Sequence, residues 1–504
     1  MIAVILSLVA AQDATWVRRD LDVLRADWLA VAPPPFTDAL APLCARRART
    51  FKVAVARTDD VEARFGKGPE GIARLVAAAK PKYLLLAGDA DRVPTFTRNS
   101  AYVSERFASD PDLATDQLFG VPTGRFPADT AEELRAMAEK TVAYETAPSP
   151  GGWRRRIAFI TGEGGFGPLI DTVLERQFST LVADAIPAGY DVETAYAKPA
   201  SKYFYYAPKF NENAVRLLNE GPLFYVYVGH GMRERMDDVR YKDFLYPILG
   251  SKDAARIDSR GGPPIMVSIA CNTGEFDSRL SDCVGEELFK RRRGPVAFVG
   301  GTRVTQPYGN ALLGRHLIGQ VFHARARTIG EAMAGAKEAV LGADDSALRT
   351  QADALAGFVQ GPGSLEPMRR DVVLQYNLFG DPALVIRRPD HDLAVEAPKT
   401  AKPGATIRVS GAAEDAADVS LTLECGRDAF CRPTDLEEGD LEKAVARRYA
   451  NANDKVLVRL RPRAYDGAFE AALDIPRDAK PGRYWIKVAS DTALGWREIE
   501  ISSP

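Results

Sequence analysis

The chain has 504 residues, which is too long for one ordinary domain and indicates two or three. Hydrophobic residues make up 46% of it, enough for large cores, and the formal net charge of −2 gives no general attraction for nucleic acid or anionic membranes. Five cysteines are too few for a disulfide scaffold, and without a CxxC motif the four scattered histidines make no zinc-binding pattern.

The N-terminus begins with an apolar stretch, residues 1–12, that is typical of the core of a signal peptide. Ala10 and Ala11 suit a cleavage region, although no Lys or Arg precedes the apolar core. We therefore expect export to the periplasm, the cell surface or the medium, with a cytoplasmic location as the alternative. No other stretch reaches transmembrane length, so we expect no transmembrane segment in the mature chain.

Residues 13–150 predict an N-terminal α/β subdomain, because strand and helix patterns alternate along them. Residues 13–50 look helical and then irregular, with a break at three consecutive prolines. The elements predicted after them are strand 51–56, helix 69–80, strand 83–89 and helix 129–146. The Pro/Gly-rich segment 148–152 predicts a hinge to the next subdomain.

Residues 151–388 predict a second α/β subdomain with the same alternation. The predicted strands are 156–161, 191–196, 223–228, 264–270 and 295–299, and residues 377–386 look like a turn followed by a last strand. The predicted helices are one from about 169, then 211–219, 282–291, 309–322 and 329–341. This pattern is typical of a mostly parallel sheet with helices on both faces.

From residue 389 the pattern changes to short alternating strands separated by Pro/Gly turns. The predicted strands are 406–410, 419–424, 455–460, 467–474, 484–489 and 496–502. We therefore predict that residues 389–504 form an all-β, immunoglobulin-like sandwich with a structural role. Cys425 and Cys431, six positions apart in this region, either close a small disulfide or stay free.

Two apolar runs in the second subdomain each lead directly to a candidate catalytic side chain. The run from Leu223 ends in Gly-His230-Gly231, and the run from Pro264 ends in Ala-Cys271. Neither run alternates, as expected of central parallel strands, and reactive groups gather just beyond the carboxyl ends of such strands. A lone His or Cys there is usually a buried structural residue, but the two together predict a Cys/His nucleophilic site.

A glycine-rich loop after the predicted strand 156–161 offers a rival interpretation. Residues 162–167 match the G-x-G-x-x-G pattern of dinucleotide-binding loops. Pro168 follows at once, and no strand ends in an acidic residue about twenty positions later, which weakens the match. We favour a different use of the loop, in which Glu163 lies at the same sheet edge as His230 and orients the imidazole.

Taken together, the motifs resemble those of the gingipain-type cysteine peptidases, relatives of the caspases with a caspase-like α/β/α fold. The resemblance covers about residues 50–388 and is carried, in the family's order, by short motifs around Asp89, Asp116, Arg125, Glu163, His230, Cys271 and Asp381. A β-sandwich directly after the peptidase domain is also the family's arrangement. The resemblance implies a cysteine endopeptidase that acts on proteins or peptides and needs no cofactor for its chemistry.

The resemblance also assigns roles to individual residues. It implies that Cys271 is the nucleophile, that His230 is the catalytic histidine, and that the backbone N–H groups of Gly231 and Cys271 line the oxyanion hole. Glu163 matches the carboxylate that supports the histidine. Asp171 falls near the acidic residue that sets a preference for a basic P1 side chain, although the intervening loop is shorter here.

The segment 301–308 is expected to bind substrate, and within it we single out Thr302 and Tyr308. Tyr308 falls near an aromatic residue that covers the P1 side chain in the family, at a position where Trp is expected. The stretch after His230-Gly231 is also more charged than is usual there. Both differences concern P1 specificity rather than the chemistry.

Structural calcium is a further property that the resemblance implies. The acidic pairs that could supply oxygen ligands are Asp89 with Asp91 and Asp237 with Asp238. Ordinary solvated loops are the alternative interpretation of both pairs.

Two alternatives to a peptidase stay open at this point. The first is a catalytically inactive relative that uses the fold for binding or surface attachment. The joint presence of Cys271 and His230 disfavours it, because a degenerate copy often loses one of them. The second is a dinucleotide-dependent enzyme, which depends on residues 162–167 alone.

Overall fold

The computed structural model describes residues 21–101, 106–110, 121–148, 151–164, 185–344, 346–414 and 417–503. Several predictions fall outside these residues: the signal peptide at 1–12, the loop positions 165–167, the helix from about 169, and Asp171. Across the described ranges, no helix combines the length and the apolar composition that crossing a membrane requires.

The strands of the described residues, in chain order, are β1 (Trp28–Ala32), β2 (Val53–Arg57), β3 (Tyr83–Ala87), β4 (Phe96–Asn99), β5 (Arg106–Ser109), β6 (Thr123–Phe126), β7 (Arg156–Thr161), β8 (Asp191–Tyr196), β9 (Phe224–Val228), β10 (Asp238–Tyr241), β11 (Phe244–Pro247), β12 (Ile265–Ile269), β13 (Ala297–Gly301), β14 (Tyr376–Phe379), β15 (His391–Asp392), β16 (Thr400–Ala401), β17 (Thr406–Ala412), β18 (Ser420–Cys425), β19 (Val456–Leu460), β20 (Ala468–Asp474), β21 (Gly482–Ala489) and β22 (Ala493–Ile501).

The α-helices of the described residues are α1 (Ala41–Arg47), α2 (Thr58–Phe65), α3 (Gly68–Ala79), α4 (Ala131–Thr146), α5 (Phe210–Asn219), α6 (Val284–Lys290), α7 (Pro307–Phe322), α8 (Ile329–Leu341), α9 (Ala347–Gln360), α10 (Leu365–Gln375) and α11 (Leu441–Asn453). Short 3-10 helices span Leu21–Arg25, Pro34–Leu40, Gly152–Arg155, Ala207–Lys209, Ser251–Arg256 and Pro362–Ser364.

Within the described residues, ten strands form one central sheet in the order β2-β1-β3-β6-β14-β13-β12-β9-β7-β8. The first five of these run parallel to one another, and so do the last five. The two halves run in opposite directions and meet where β13 pairs antiparallel with β14. The prediction of a mostly parallel sheet is therefore confirmed.

The sheet is covered on both faces, which is why its strands are apolar without alternation. Along β9, Tyr225 and Tyr227 belong to one buried cluster, whereas Phe224 and Val226 belong to another on the opposite face. Successive side chains of a strand point to opposite faces, so both clusters flank the same sheet. The predicted layered α/β architecture is confirmed.

Two strands differ from the sequence-based expectation. β1 lies in the stretch predicted to be helical and then irregular, and its five residues are all buried between β2 and β3. Its sequence, Trp-Leu-Ala-Val-Ala, is rich in helix-forming residues, so burial in the sheet has overridden local propensity. β14 precedes the turn that begins at Gly380, whereas the last strand was expected after that turn.

The turn after β14 contains Asp381, whose fully buried side chain contacts residues from the first part of the chain. Its carboxylate accepts hydrogen bonds from the indole N–H of Trp28 at 3.0 Å and from Arg47 at 2.6 Å. Arg47 also pairs with the buried Glu145 at 2.8 Å. The turn after β14, a central strand of the sheet, is thereby fixed to β1 and α1 from the first part of the chain.

The C-terminal region consists of two small sheets that share a core. β15, β22, β21, β18 and β19 form one sheet with β16 at its side, and β17 pairs with β20 in the other. The six predicted strands coincide with β17 to β22. The expectation of an all-β region is wrong in one respect, because α11 lies between β18 and β19 and packs against β8 of the central sheet.

Candidate active site

Four adjacent strands of the central sheet end at one edge and lead into the candidate residues. β7 is followed by Glu163, β9 by His230, β12 by Cys271 and β13 by Thr302. The strands lie side by side in the order β13-β12-β9-β7 and are parallel, so their carboxyl ends meet. The structure thus brings His230 and Cys271 to the same edge, as the strand pattern predicts.

The imidazole of His230 is oriented by the loop after β7. Its Nε2 lies 2.7 Å from the carbonyl oxygen of Gly164. Because a carbonyl oxygen can only accept a hydrogen bond, Nε2 carries the hydrogen, and proton exchange with a substrate falls to Nδ1. The carbonyl of His230 accepts a 2.6 Å hydrogen bond from the hydroxyl of Tyr227, whose pKa burial raises well above its ordinary value.

Asp237 is an acidic neighbour of His230 that the sequence singled out only as a calcium ligand. A Cβ atom at Gly162 would lie 3.0 Å from Oδ2 of Asp237, so the carboxylate lies against the start of the loop that holds His230. Burial raises the pKa of Asp237, and the attraction of His230 opposes that rise.

Cys271 lies partly buried in the turn after β12. Its Sγ accepts a hydrogen bond from the backbone N–H of Thr305, with the nitrogen 3.3 Å away, and the Thr305 hydroxyl oxygen lies 3.6 Å from the same sulfur. The next residue, Asn272, has a φ of 57°, which turns the chain away directly after the cysteine. The thiol is therefore held by the segment that follows β13.

Gly231 lies directly against the turn that carries Cys271. A Cβ atom at Gly231 would lie only 2.3 Å from the carbonyl oxygen of Cys271, so no side chain fits between the two loops. Among the described residues, no backbone hydrogen bond outside the helices and strands is donated by the N–H of Gly231 or Cys271. The oxyanion-hole role of these two N–H groups stays a prediction.

The imidazole Nε2–H of His230 donates to the carbonyl oxygen of Gly164, the neighbour of Glu163. The supporting role of Glu163 stays a prediction. Thr302 is fully buried, and its hydroxyl donates to the carbonyl oxygen of Ala108 at 3.0 Å. The side chain of Thr302 therefore connects the segment after β13 to β5. Its substrate-binding role also stays a prediction.

Tyr308 is mostly buried at the start of α7. Its hydroxyl donates to Asp353 at 2.6 Å and accepts from Arg369 at 2.9 Å. Burial and the hydrogen bond to Asp353 raise the pKa of Tyr308. The phenol is thus held between α9 and α10, and its predicted contact with a P1 side chain has not been tested.

An acidic cluster in the first part of the chain includes the predicted calcium ligands Asp89 and Asp91. Each supplies an oxygen that, together with one from Asp129, lies within 4.8 Å of the others. Oδ1 of Asp89 is buried without a hydrogen-bond partner, and burial raises the pKa of that carboxyl to about 6. Asp129 is already paired with Lys290 at 2.7 Å, which reduces the charge available for a cation.

The other predicted calcium pair, Asp237 with Asp238, has different partners. Asp238 forms an ion pair with Arg235, and the backbone N–H of Asp238 donates to the carboxylate of Asp237 at 2.8 Å. With Asp237 next to His230, this pair belongs to the surroundings of the imidazole.

Sequence reasoning missed a group of side chains behind Cys271. The amide of Asn310 donates to the hydroxyl oxygen of Thr305 at 2.8 Å. The hydroxyl of Tyr376 donates to the amide oxygen of Asn310 at 3.0 Å. Only the position of Thr305 just after a predicted strand could have pointed to any of them.

Comparisons with known proteins identify the family and the fold. A model of peptidase family C25 matches residues 23–387, and no curated protein sequence matches the chain. The crystal structure of the Arg-specific cysteine proteinase gingipain R is similar, with a TM-score of 0.54 and 16% identity over 95% of this chain and 98% of its own. The complex of the Porphyromonas gingivalis RgpB pro- and mature domains has a TM-score of 0.50 and 15% identity over 94% of this chain and 100% of its own.

A structure called simply a protease has a TM-score of 0.55 and 16% identity, over 94% of this chain and 97% of its own. At such identities the structural likeness shows the fold alone. The family match, in contrast, extends over most of the 504 residues. This chain therefore belongs to peptidase family C25, the gingipain family of cysteine peptidases.

Proposed function

We propose that this protein is a cysteine endopeptidase that cleaves proteins or peptides, with Cys271 as nucleophile and His230 as the acid–base group. The observation that carries the proposal is the pairing of β9 with β12, which directs both residues to one edge with Gly231 against the carbonyl of Cys271. Nucleophile and proton donor must both reach the scissile bond, and parallel neighbouring strands bring them to it.

The reaction begins when the thiolate of Cys271 attacks the carbonyl carbon of the scissile bond. A sulfur–carbon bond forms, and the N–H groups of Gly231 and Cys271 donate to the oxyanion, each being worth about 3–4 kcal/mol. The carbon–nitrogen bond then breaks, and protonated His230 gives its proton to the leaving amine. Water attacks the resulting thioester, the imidazole takes a proton from it, and the thiolate leaves as the new carboxylate is released.

For the substrate, we propose a basic P1 side chain. This proposal rests on Asp171, which matches the specificity position of the arginine-specific members, and on the description of gingipain R as Arg specific. In this arrangement Tyr308 covers the aliphatic part of the P1 side chain. The chemistry at Cys271 does not depend on this preference.

The test is hydrolysis of a fluorogenic peptide panel varied at P1, under reducing conditions. The parent is compared with Cys271→Ala and with Cys431→Ala, a control at a cysteine of the C-terminal region that contacts Asp454. Cleavage after Arg or Lys that is lost only in Cys271→Ala supports the whole proposal. Cleavage after other residues retains Cys271 and His230 but discards the basic P1 preference.

The main alternative is a non-catalytic module that uses the same fold for binding. No cleavage of any peptide, together with no alkylation of Cys271 by iodoacetamide, would favour that alternative. A dinucleotide-dependent enzyme is disfavoured because the carboxylate of Asp237 lies against Gly162, where a pyrophosphate would meet negative charge. A titration with NAD(P) that shows no binding would exclude the dinucleotide-dependent alternative.

We also propose structural calcium at Asp89, Asp91 and Asp129. Carboxylate oxygens are ligands that calcium prefers, and the buried, unpartnered Oδ1 of Asp89 fits a cation. The role is structural and takes no part in the steps above.

Export and a positioning role for residues 389–504 as an immunoglobulin-like module complete the proposal. The apolar stretch at 1–12 supports export, and the shared core of the two C-terminal sheets supports a sandwich. N-terminal sequencing of protein from the medium and from cell fractions tests the first point, since retention of residues 1–12 in the cytoplasm would contradict it.

A further inference from the structure

The side chain of Thr305 touches the sulfur that the proposed reaction uses. Its backbone N–H donates to Sγ of Cys271 over 3.3 Å, and its hydroxyl oxygen lies 3.6 Å from the same atom. The carbonyl oxygen of Thr305 lies 3.7 Å from Sγ and can accept only from the neutral thiol. The sulfur therefore faces one backbone donor, a hydroxyl that can act as a second donor, and one acceptor.

The hydroxyl of Thr305 is positioned by Asn310. A hydroxyl can donate one hydrogen bond and accept two. Because the amide of Asn310 already donates to Oγ1 of Thr305 at 2.8 Å, the hydroxyl hydrogen is available to point towards Cys271. The hydroxyl can therefore donate to the sulfur when Cys271 is a thiolate, which can only accept.

Asn310 is in turn fixed by Tyr376, whose hydroxyl donates to its amide oxygen at 3.0 Å. Tyr376 is fully buried, and burial raises the pKa of its phenol, so it remains a donor at all ordinary pH values. This contact determines which end of the Asn310 amide faces Thr305. The chain of donors therefore runs from β14 through α7 to the nucleophile.

We propose that Thr305 is an additional catalytic residue, which stabilises the thiolate of Cys271 through its N–H and hydroxyl, with Asn310 and Tyr376 as positioning residues. The inference rests on the proposed role of Cys271 as nucleophile. Hydrogen bonds to the charged form of a group favour that form, and the thiolate is the reactive form of cysteine. The charge of Cys271 interacts with the phenol of Tyr376. His230 follows the neighbouring strand β9, and Arg303, which is paired with Asp277, accepts from the N–H of Asn272 through its backbone carbonyl. Thr305→Val leaves all these groups in place.

The test is the rate of alkylation of Cys271 by iodoacetamide as a function of pH, followed by mass spectrometry of the peptide that contains it. Thr305→Val removes the hydroxyl and keeps the shape and the amide, so we expect the midpoint of the profile to rise by about one pH unit, or tenfold in the thiolate equilibrium. Thr305→Ser should restore the parent profile. Tyr376→Phe should give a smaller rise in the same direction.

The matched control is Thr141→Val, which removes another buried hydroxyl, bonded to the carbonyl of Met137 within α4. It should leave the alkylation profile of Cys271 unchanged, even if it lowers the melting temperature. Identical profiles for the parent and Thr305→Val would overturn the inference.

Alkylation needs no peptide substrate, so the inference and the proposed function can fail separately. If Thr305→Val shifts the alkylation profile but the parent cleaves no peptide, stabilisation of the thiolate by Thr305 is supported and the proposed peptidase activity is contradicted. If the parent cleaves peptides but Thr305→Val leaves the alkylation profile unshifted, the peptidase activity is supported and the role of Thr305 is contradicted. If both hold, the loss of kcat/KM in Thr305→Val should be recovered at higher pH, where the thiolate forms without help.

Discussion

Replacement of Gly231 by alanine tests how the two loops of the candidate site pack. The added Cβ would lie 2.3 Å from the carbonyl oxygen of Cys271, 2.8 Å from Cγ2 of Thr273 and 2.9 Å from Cβ of Ala270. Carbon atoms pack best at about 3.5–4.0 Å. A backbone oxygen and a Cβ atom cannot rotate away, so the loops must separate by roughly 1 Å.

The separation should affect activity more than stability. Overpacking of this kind costs about 1–3 kcal/mol in the free energy of unfolding, which is a fall of a few degrees in Tm. A displacement of about 1 Å at a reacting group costs about 100-fold in rate, and loss of an oxyanion donor costs about 100-fold to 1000-fold. We therefore expect kcat for a cleaved peptide to fall about 100-fold or more in Gly231→Ala, with KM little changed.

Gly319→Ala is the matched control. Gly319 is in α7, and among the described residues a Cβ placed there would have no atom within 4 Å apart from its chain neighbours and the backbone of its own helix. Alanine in a helix is favoured over glycine by about 0.5–1 kcal/mol, so this variant should keep its activity and gain slightly in Tm. If Gly231→Ala keeps the kcat and the Tm of the parent, the reasoning about the contact with Cys271 is refuted.

Three further predictions concern the rest of the chain. Burial alone would raise the pKa of Glu145, but the hydrogen bond and the charge of Arg47 outweigh burial and lower that pKa. The ionised Glu145 therefore stabilises the fold at neutral pH, and this stabilisation is lost as the pH falls through the acid range. Glu145→Gln should lower Tm strongly at pH 7 and little at about pH 3, and an equal loss at both would contradict this. Cys425 and Cys431 are free thiols in hydrogen-bond contact, which raises the pKa of Cys425 and lowers that of Cys431. Mild oxidation should join them in a disulfide and abolish their alkylation. Continued alkylation after oxidation would exclude the disulfide. EDTA should lower the Tm of the parent but not of Asp89→Asn, and an unchanged parent Tm would remove the calcium proposal.

The strands that carry His230 and Cys271 could be predicted because each is a continuous apolar run that can be identified locally. β9 and β12 lie within one residue of the predicted runs. Their partners could not be predicted in this way, because Gly164 lies 66 positions from His230, and Thr305 lies 34 positions from Cys271. Such contacts depend on which strands become neighbours, which local patterns do not reveal.

α11 shows a different reason for a missed element. Asp440 caps it by accepting from the N–H groups of Glu442 and Lys443, and its buried residues include Val445 and Tyr449, four positions apart. These are ordinary helix signals. These signals do not stand out in the sequence, because apolar and polar residues alternate clearly in the strands on both sides and favour an all-β region.

The place of β14 in the central sheet has a consequence for the synthesis of the protein. β6 pairs with β3 on one side and with β14 on the other, yet β14 is the last strand of that sheet to leave the ribosome. Until then β6 and β13 each present a row of unpaired backbone groups, which is a template for association with other chains. A nascent chain, or one truncated before Tyr376, should therefore depend on chaperones and aggregate readily, whereas the completed chain closes both edges with four residues.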